Sequence, residues 1–208
     1  MSVAGGTSQA AGRWLTTTLR APRGRWAALV VCLDGNVIPG DADRLAGRLD
    51  ALEARSRSVL EQARLPRHHP ERAADALSVL EACTYRPSGS VVAAPTTSLP
   101  EAPGADRQFD YRYSWLRDAS LGISVAALLG NRSAAEQYLR FVGGLSDGGD
   151  PPICPVTDVR GQPVPEEREV EGVAGWAGSL PIRVGNSAGG QVQHAALGLV
   201  LEGISVHL

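Results

Sequence analysis

The sequence predicts a mainly α-helical fold preceded by a short β segment. Apolar residues recur at helical intervals in successive stretches from about residue 41 onward. Two of these stretches are separated by only Gly130-Asn131, the spacing of an antiparallel αα-hairpin. Arg25–Leu33 is different in kind: a short, continuous apolar run bounded by Gly24 and Asp34-Gly35-Asn36, which reads as a buried strand.

In chain order, residues 1–24 are rich in Gly, Ser, Thr and Ala, with Trp14 and Leu15 as a bulky apolar pair. A loosely held start is expected. The strand at Arg25–Leu33 then has no evident partner, although a lone strand cannot satisfy its own backbone groups. Asp41 or Asp43 can cap a helix in which Leu45, Leu49, Leu52, Val59 and Leu60 mark one side as far as about Gln62. Pro66 and Pro70 interrupt it. Glu71–Thr84 resumes the helical pattern with Ala73, Leu77, Leu80 and Cys83 inward, Pro87-Ser-Gly-Ser90 ends it, and Val91–Ala94 is extended. Trp115–Leu129 is the next helix, with Leu121, Val125, Leu128 and Leu129 as its apolar stripe and Asp118 in its first turn. There a carboxylate meets the partial positive charge of the helix N-terminus. Ser133-Ala-Ala-Glu136 has the spacing of a capping box and opens a helix to about Val142.

Gly143–Gly178 is expected to be irregular, its acidic run Glu166, Glu167, Glu169 and Glu171 a solvated loop and its Trp176 a contributor to a pocket rim. A last helix is expected from Asn186 to about Ser205, with Val192, Ala195, Ala196, Leu199 and Val200 inward. Gly189 and Gly190 weaken its first turns by roughly 1 kcal/mol each. The chain thus divides into an N-terminal segment with a strand (1–40), a linker helix (41–66) and a helical domain (67–208).

Composition narrows the function. Of 208 residues, 43% are hydrophobic and 20% charged, which argues against disorder, and the net charge of −2 supplies no field for nucleic acid or an anionic membrane. Cys32, Cys83 and Cys154 form neither a disulfide framework nor a zinc spacing, and Cys83 reads as a small buried hydrophobe. His68, His69, His194 and His207 make no metal cluster, so no metal or cofactor is expected. The first residues lack a basic start and an apolar core, and no run reaches the ~20 apolar residues of a membrane span. A cytoplasmic location is expected.

The stretch Phe109-Asp-Tyr-Arg-Tyr-Ser-Trp-Leu-Arg-Asp118 carries the candidate chemistry. Tyr111, Tyr113 and Trp115 offer flat apolar rings, Arg112 and Arg117 fixed positive forks, and Asp110 and Asp118 carboxylates. Sugars ask for this mixture: the C–H face of a pyranose lies on an aromatic ring, while its hydroxyls donate to carboxylates and accept from guanidinium groups. Core packing of the aromatics and a solvated Arg-Asp pair are the alternative reading.

Three segments in order carry a resemblance. Ala94-Pro-Thr-Thr-Ser-Leu-Pro-Glu101, then Tyr111-Arg-Tyr-Ser-Trp-Leu-Arg-Asp118, then Ser179-Leu-Pro-Ile-Arg-Val-Gly-Asn186 with Gln191 and Gln193 resemble the glucoamylase and trehalase-like family of inverting α-glucoside hydrolases, glycoside hydrolase family 15. The similarity runs from about His69 to Glu202. It implies a helical domain that is part of an (α/α)6 toroid of stacked hairpins, with the strand a remnant of a preceding β-sandwich domain. It also implies that Arg117 and Asp118 bind the glucose unit of the innermost subsite, that Trp115 and Tyr111 line the same pocket, and that the partner is an α-glucoside such as dextrin, a maltooligosaccharide or trehalose. Gly190, Ala195 and Leu197 depart from the acidic, Asp and aromatic residues common at those positions in relatives. The family's catalytic acid and base lie downstream of the Gln-x-Gln segment, so the expectation is a truncated chain with no catalytic residue of its own, inactive alone and prone to self-association through exposed helix faces. A non-catalytic carbohydrate-binding or helical interaction remnant is the alternative.

Overall fold

The structure, a computed structural model, describes residues 2–4, 6–11, 14–21, 23–24, 26–30, 42–97, 99–146 and 154–207. They fall into two units, Met1–Ser58 and Val59–Leu208.

In the first unit the β segment is larger than expected. β1 (Ser2–Ala4) pairs antiparallel with β4 (Ala28–Val30), and β2 (Gly6–Ala11) pairs antiparallel with β3 (Trp14–Leu19), from Gly6 opposite Leu19 to Ala11 opposite Trp14. The expectations of a loosely held start and an orphan strand are both corrected. The strand finds its partner in the first residues of the chain, and the β-branched run Thr16-Thr-Thr18 favours the extended backbone. Arg25, Val31–Leu33 and Asp34-Gly35-Asn36 lie outside the described residues, as do Cys32 and Asp41. α1 (Ala42–Gln62) begins in this unit and matches the expected helix; Leu49 and Leu52 on its stripe are exposed.

In the second unit, α2 (Pro70–Ala82) starts with Pro70 in the first turn, where its missing N–H costs nothing. It buries Leu77 and leads to buried Cys83, whose thiol is pushed up by burial. β5 (Thr84–Tyr85) and β6 (Ser90–Val91) form a small antiparallel pair, and β7 (Ser114–Trp115) pairs with β8 (Val156–Thr157). α3 (Leu116–Leu128) and α4 (Arg132–Ser146) make the expected hairpin. Gly130 closes α3 at φ +95°, a conformation open to glycine, and Asn131 caps α4 by accepting from Ala134 N at 3.4 Å through Oδ1. The cap is therefore Asn131 rather than the expected Ser133. Asn131 Nδ2 also donates to Glu81 Oε1 at 2.8 Å, tying the hairpin turn to α2.

α3 packs with the opposite face from the expected one. Leu116, Ala119, Ser120, Ile123, Ser124 and Ala126 are buried, whereas Leu121 and Val125 are exposed and Leu128 is 67% exposed. Small side chains let the last helix, α5 (His194–His207), approach closely: a Cβ on its Gly203 would stand 3.4 Å from Ser124 Oγ. The buried hydroxyls are satisfied, Ser124 donating to Ser120 O at 2.8 Å and Ser120 sharing a 3.0 Å hydrogen bond with Tyr138. Cys83, Val91, Leu116, Ile123, Tyr138, Phe141, Ala196 and Val200 form one core with these helices.

The region expected to be irregular holds the end of α4, β8 and β9 (Arg168–Val170), which pairs antiparallel with β10 (Ile182–Val184); Gly148–Pro152 lies outside the described residues. The acidic run is thus partly a strand, and Arg183 bridges Glu167 at 3.4 Å and Glu169 at 3.9 Å across it. The helix expected from Asn186 is two elements, a 3-10 turn at Ser187–Gly190 and α5. Gln191–Gln193 separates them, and the turn ends on Gly189-Gly190, residues that carry the largest entropic cost in a helix. Among the described residues no helix is long and apolar enough to cross a membrane.

Candidate functional site

The run from Phe109 passes through a bend at Tyr113 into β7 at Ser114. Ala94 N donates to Tyr111 O at 2.9 Å and Ala93 N to Tyr113 O at 3.0 Å, before β7 pairs with β8. Phe109, Tyr111 and Trp115 line a cleft of about 250 Å³, while Asp110 and Ser114 are fully buried.

Trp115 is the residue before α3, and it is 5% exposed, so it forms the cleft wall as a packed residue with Val156 and Ala188. Tyr111 meets it edge-on at 5.5 Å between ring centroids. Its hydroxyl donates to Glu101 Oε1 at 2.5 Å, and Arg107 pairs with Glu101 Oε2 at 2.7 Å. Burial and the Glu101 carboxylate push Tyr111 up to about 12. The phenol proton is therefore committed to Glu101, which leaves the Tyr111 oxygen as an acceptor.

Helix α3 begins at Leu116, which places Arg117 and Asp118 in its first turn and on the cleft lining. Arg117 Nη2 lies 3.1 Å from Asp118 Oδ2, with the two side chains 48% and 45% exposed. Such a solvent-exposed pair adds little to stability. Its free donors and acceptors face the chemistry a sugar edge presents.

Asn186, Ser187, Ala188 and Gln191 complete the cleft. Asn186 Oδ1 accepts from Ala188 N at 2.9 Å and opens the 3-10 turn. Asp110 holds this segment from behind. Its oxygens accept from Arg112 Nε at 2.9 Å, Arg112 Nη2 at 2.8 Å and Gly185 N at 3.1 Å, and its carbonyl from Asn186 Nδ2 at 3.2 Å. Burial alone would raise the Asp110 carboxyl, but the Arg112 and Gly185 donors outweigh it and hold the group below its ordinary value.

The four residues singled out from the sequence, Tyr111, Trp115, Arg117 and Asp118, thus line one cleft. Trp176 does not; it is 66% exposed in a separate 3-10 turn (Trp176–Gly178). Sequence reasoning offered Asp110 as a carboxylate for a sugar, whereas the structure buries it fully outside the cleft lining; it assigned no role to Phe109 or Ser187. The Gly185-Asn186 pair carried the one available signal, since it stood in a segment of the resemblance. Among the described residues no group of three or more His, Cys, Asp or Glu is placed to hold a metal ion.

The family model described as Glycosyl hydrolases family 15 matches residues 73–205, well over half of the chain and all of the cleft. The chain belongs to glycosyl hydrolases family 15. Its relatives include a trehalase of Mycolicibacterium smegmatis, 38% identical over 144 residues that make up 67% of this chain and 22% of that enzyme. Trehalase 2 of Sulfolobus acidocaldarius is 37% identical over 139 residues, 66% of this chain and 24% of the relative, and a trehalase of Thermoplasma acidophilum is 37% identical over 133 residues, 64% and 22%. The family 15 chain spans less than a quarter of the length of these curated relatives. No solved structure matches it.

Proposed function

We propose that residues 67–208 are the N-terminal part of an (α/α)6 toroid and carry one wall of the innermost glucose subsite of an α-glucoside hydrolase, with trehalose as the favoured substrate. The observation that carries this reading is the half-exposed Arg117–Asp118 pair, 3.1 Å apart, beside Tyr111 and Trp115 in the same cleft. Asp118 accepts from adjacent ring hydroxyls, Arg117 donates to a third oxygen, and the Tyr111 and Trp115 rings take the apolar sugar face. The trehalase names of the relatives favour trehalose over dextrin or maltooligosaccharides.

Inverting hydrolysis needs two carboxyl groups roughly 6.5–9.5 Å apart, one protonated to deliver a proton and one ionised to activate water. Asp118 is the one carboxylate lining the cleft among the described residues. Asp110 has no proton to give, being fully buried and held ionised by Arg112. Glu101 is engaged by Tyr111 and Arg107. We therefore assign the acid and base to residues outside 1–208. Titration of trehalose and maltose into the purified chain by calorimetry tests the reading, with hydrolysis of a chromogenic α-glucoside followed in parallel. Saturable binding without hydrolysis above buffer is expected. An absence of binding to either sugar sinks it.

A second reading, a helical interaction module, is favoured by one observation: α3 is apolar on both faces, with Leu121, Val125 and Leu128 outward. On this reading the chain self-associates, and Val125→Glu with Leu128→Glu lowers its mass in sedimentation velocity.

A further inference from the structure

We propose that Asp110 is a positioning residue that holds the Asn186–Ala188 wall of the cleft in register with the Tyr111–Asp118 wall. The inference rests on the reading of the cleft as a sugar subsite and adds to it the device that sets the spacing of its two sides.

Asp110 is 0% exposed, so it touches no ligand in the cleft. Its carboxylate is also saturated. Oδ1 accepts from Arg112 Nε at 2.9 Å and Arg112 N at 3.2 Å, and Oδ2 from Arg112 Nη2 at 2.8 Å and Gly185 N at 3.1 Å. A carboxylate has about four lone-pair sites, and all are used. The backbone of Asp110 lies between Phe109 and Tyr111, both of which line the cleft. Through Gly185 N and through its own carbonyl, which accepts from Asn186 Nδ2 at 3.2 Å, the same residue grips the opposite segment. Asn186 passes the constraint on by accepting from Ala188 N at 2.9 Å. Asn186 N donates in turn to Pro165 O at 3.1 Å, so the segment is fixed from two directions.

Gly185 is fitted to this clamp. Its φ is +81°, and a Cβ there would stand 2.2 Å from Glu166 O. Without a Cβ the Gly185 backbone can pass close to Pro165 and Glu166 while its N–H donates to Asp110. With the clamp closed, a sugar meets Ser187 at a fixed distance from Arg117 and Asp118; with it open, the first wall is intact and the second is displaced.

The test compares wild type, Asp110→Asn, Asn186→Ala and the double variant by amide hydrogen exchange and by calorimetric titration of trehalose and maltose. Asp110→Asn replaces an acceptor by an amide of the same shape whose NH2 group must face a donor. Exchange at Gly185 and Ala188 is expected to rise about tenfold while the amides of Tyr138 and Phe141 in α4 stay unchanged, and sugar binding to weaken about tenfold. Because both residues act through one segment, the double variant should bind about as well as Asp110→Asn alone. Loop amides as slow as in wild type, acceleration spread evenly over the helices, or losses that multiply in the double variant overturn the proposal. If the wild-type chain binds neither sugar, the subsite reading falls, and exchange at Gly185 and Ala188 alone decides the positioning role. If Asp110→Asn does not fold, Asn186→Ala decides it: unchanged Ala188 exchange overturns the proposal and accelerated exchange supports it.

Discussion

Arg117 reaches sideways to Asp118, its sequence neighbour, and closes to 3.1 Å in the first turn of α3. Successive helix positions point about 100° apart and do not ordinarily face each other. The length of the arginine side chain brings the guanidinium round, so both charges reach one cleft. Asp118→Ala should therefore abolish detectable binding of trehalose or maltose. The same change should alter thermal stability by less than about 0.5 kcal/mol, as expected of an exposed pair. Calorimetry and a thermal melt on one preparation check both, and a mutant that binds as well as wild type removes Asp118 from the site.

The Asp110 carboxyl lies below its ordinary value in the folded chain, with burial opposing and the Arg112 and Gly185 donors prevailing. A group with a depressed folded pKa contributes stability above its unfolded pKa of about 3.9 and loses it as pH falls through the folded value. Melting temperature should drop as pH is lowered below about 4. That acid-dependent drop should be smaller in Asp110→Asn, whose stability is already reduced at neutral pH. Parallel pH–melting curves would contradict the assignment.

Gly185→Ala should be among the most damaging single changes in the second unit. The added Cβ meets Glu166 O at 2.2 Å in a backbone conformation that L-residues rarely adopt. Such strain costs about 1–3 kcal/mol before the overlap is counted. Denaturant unfolding measures the loss. A cost under about 1 kcal/mol would mean that the β9–β10 region yields easily.

Tyr138 is buried in α4, shares a hydrogen bond with Ser120 Oγ at 3.0 Å and donates to Leu116 O at 3.2 Å. Burial pushes its phenol up to about 12. The unfolded chain loses that proton near pH 10 while the folded chain keeps it, so stability falls as pH rises from about 10 toward 12. Tyr138→Phe should cost about 1 kcal/mol at neutral pH and flatten the alkaline decline. Melts from neutral to strongly alkaline pH separate the two effects.

The elements legible in the sequence were those with local signals. α1, α2 and the α3–α4 hairpin declare themselves through apolar spacing, Pro70 and Gly130. Periodicity could not say which side of α3 faces inward, because both are apolar and the decision lies with α5: Gly203 admits Ser120 and Ser124, so the small face is buried and Leu128 is left outside. The pairing of β1 with β4 was hidden for a similar reason, its partners lying at opposite ends of the N-terminal segment. In the cleft, residue type alone offered Asp110, Arg112 and Tyr113 as well, which do not line it, and it was the family resemblance that singled out Tyr111, Trp115, Arg117 and Asp118. Asp110 was read as a second carboxylate for the sugar because a charge that is fully buried and fully bonded looks, in a string of letters, like any other charge.

The bond between Gly185 N and Asp110 Oδ2 spans 75 positions of the chain. Closing so long a segment carries an entropic cost that must be met before its contacts can compensate. During synthesis the aromatic run leaves the ribosome well ahead of its clamp, and α3 and α4 can pair while the second wall is still unmade. The cleft is consequently expected to close late in folding, and variants that slow its closure are expected to lower the yield of competent molecules without changing the finished one.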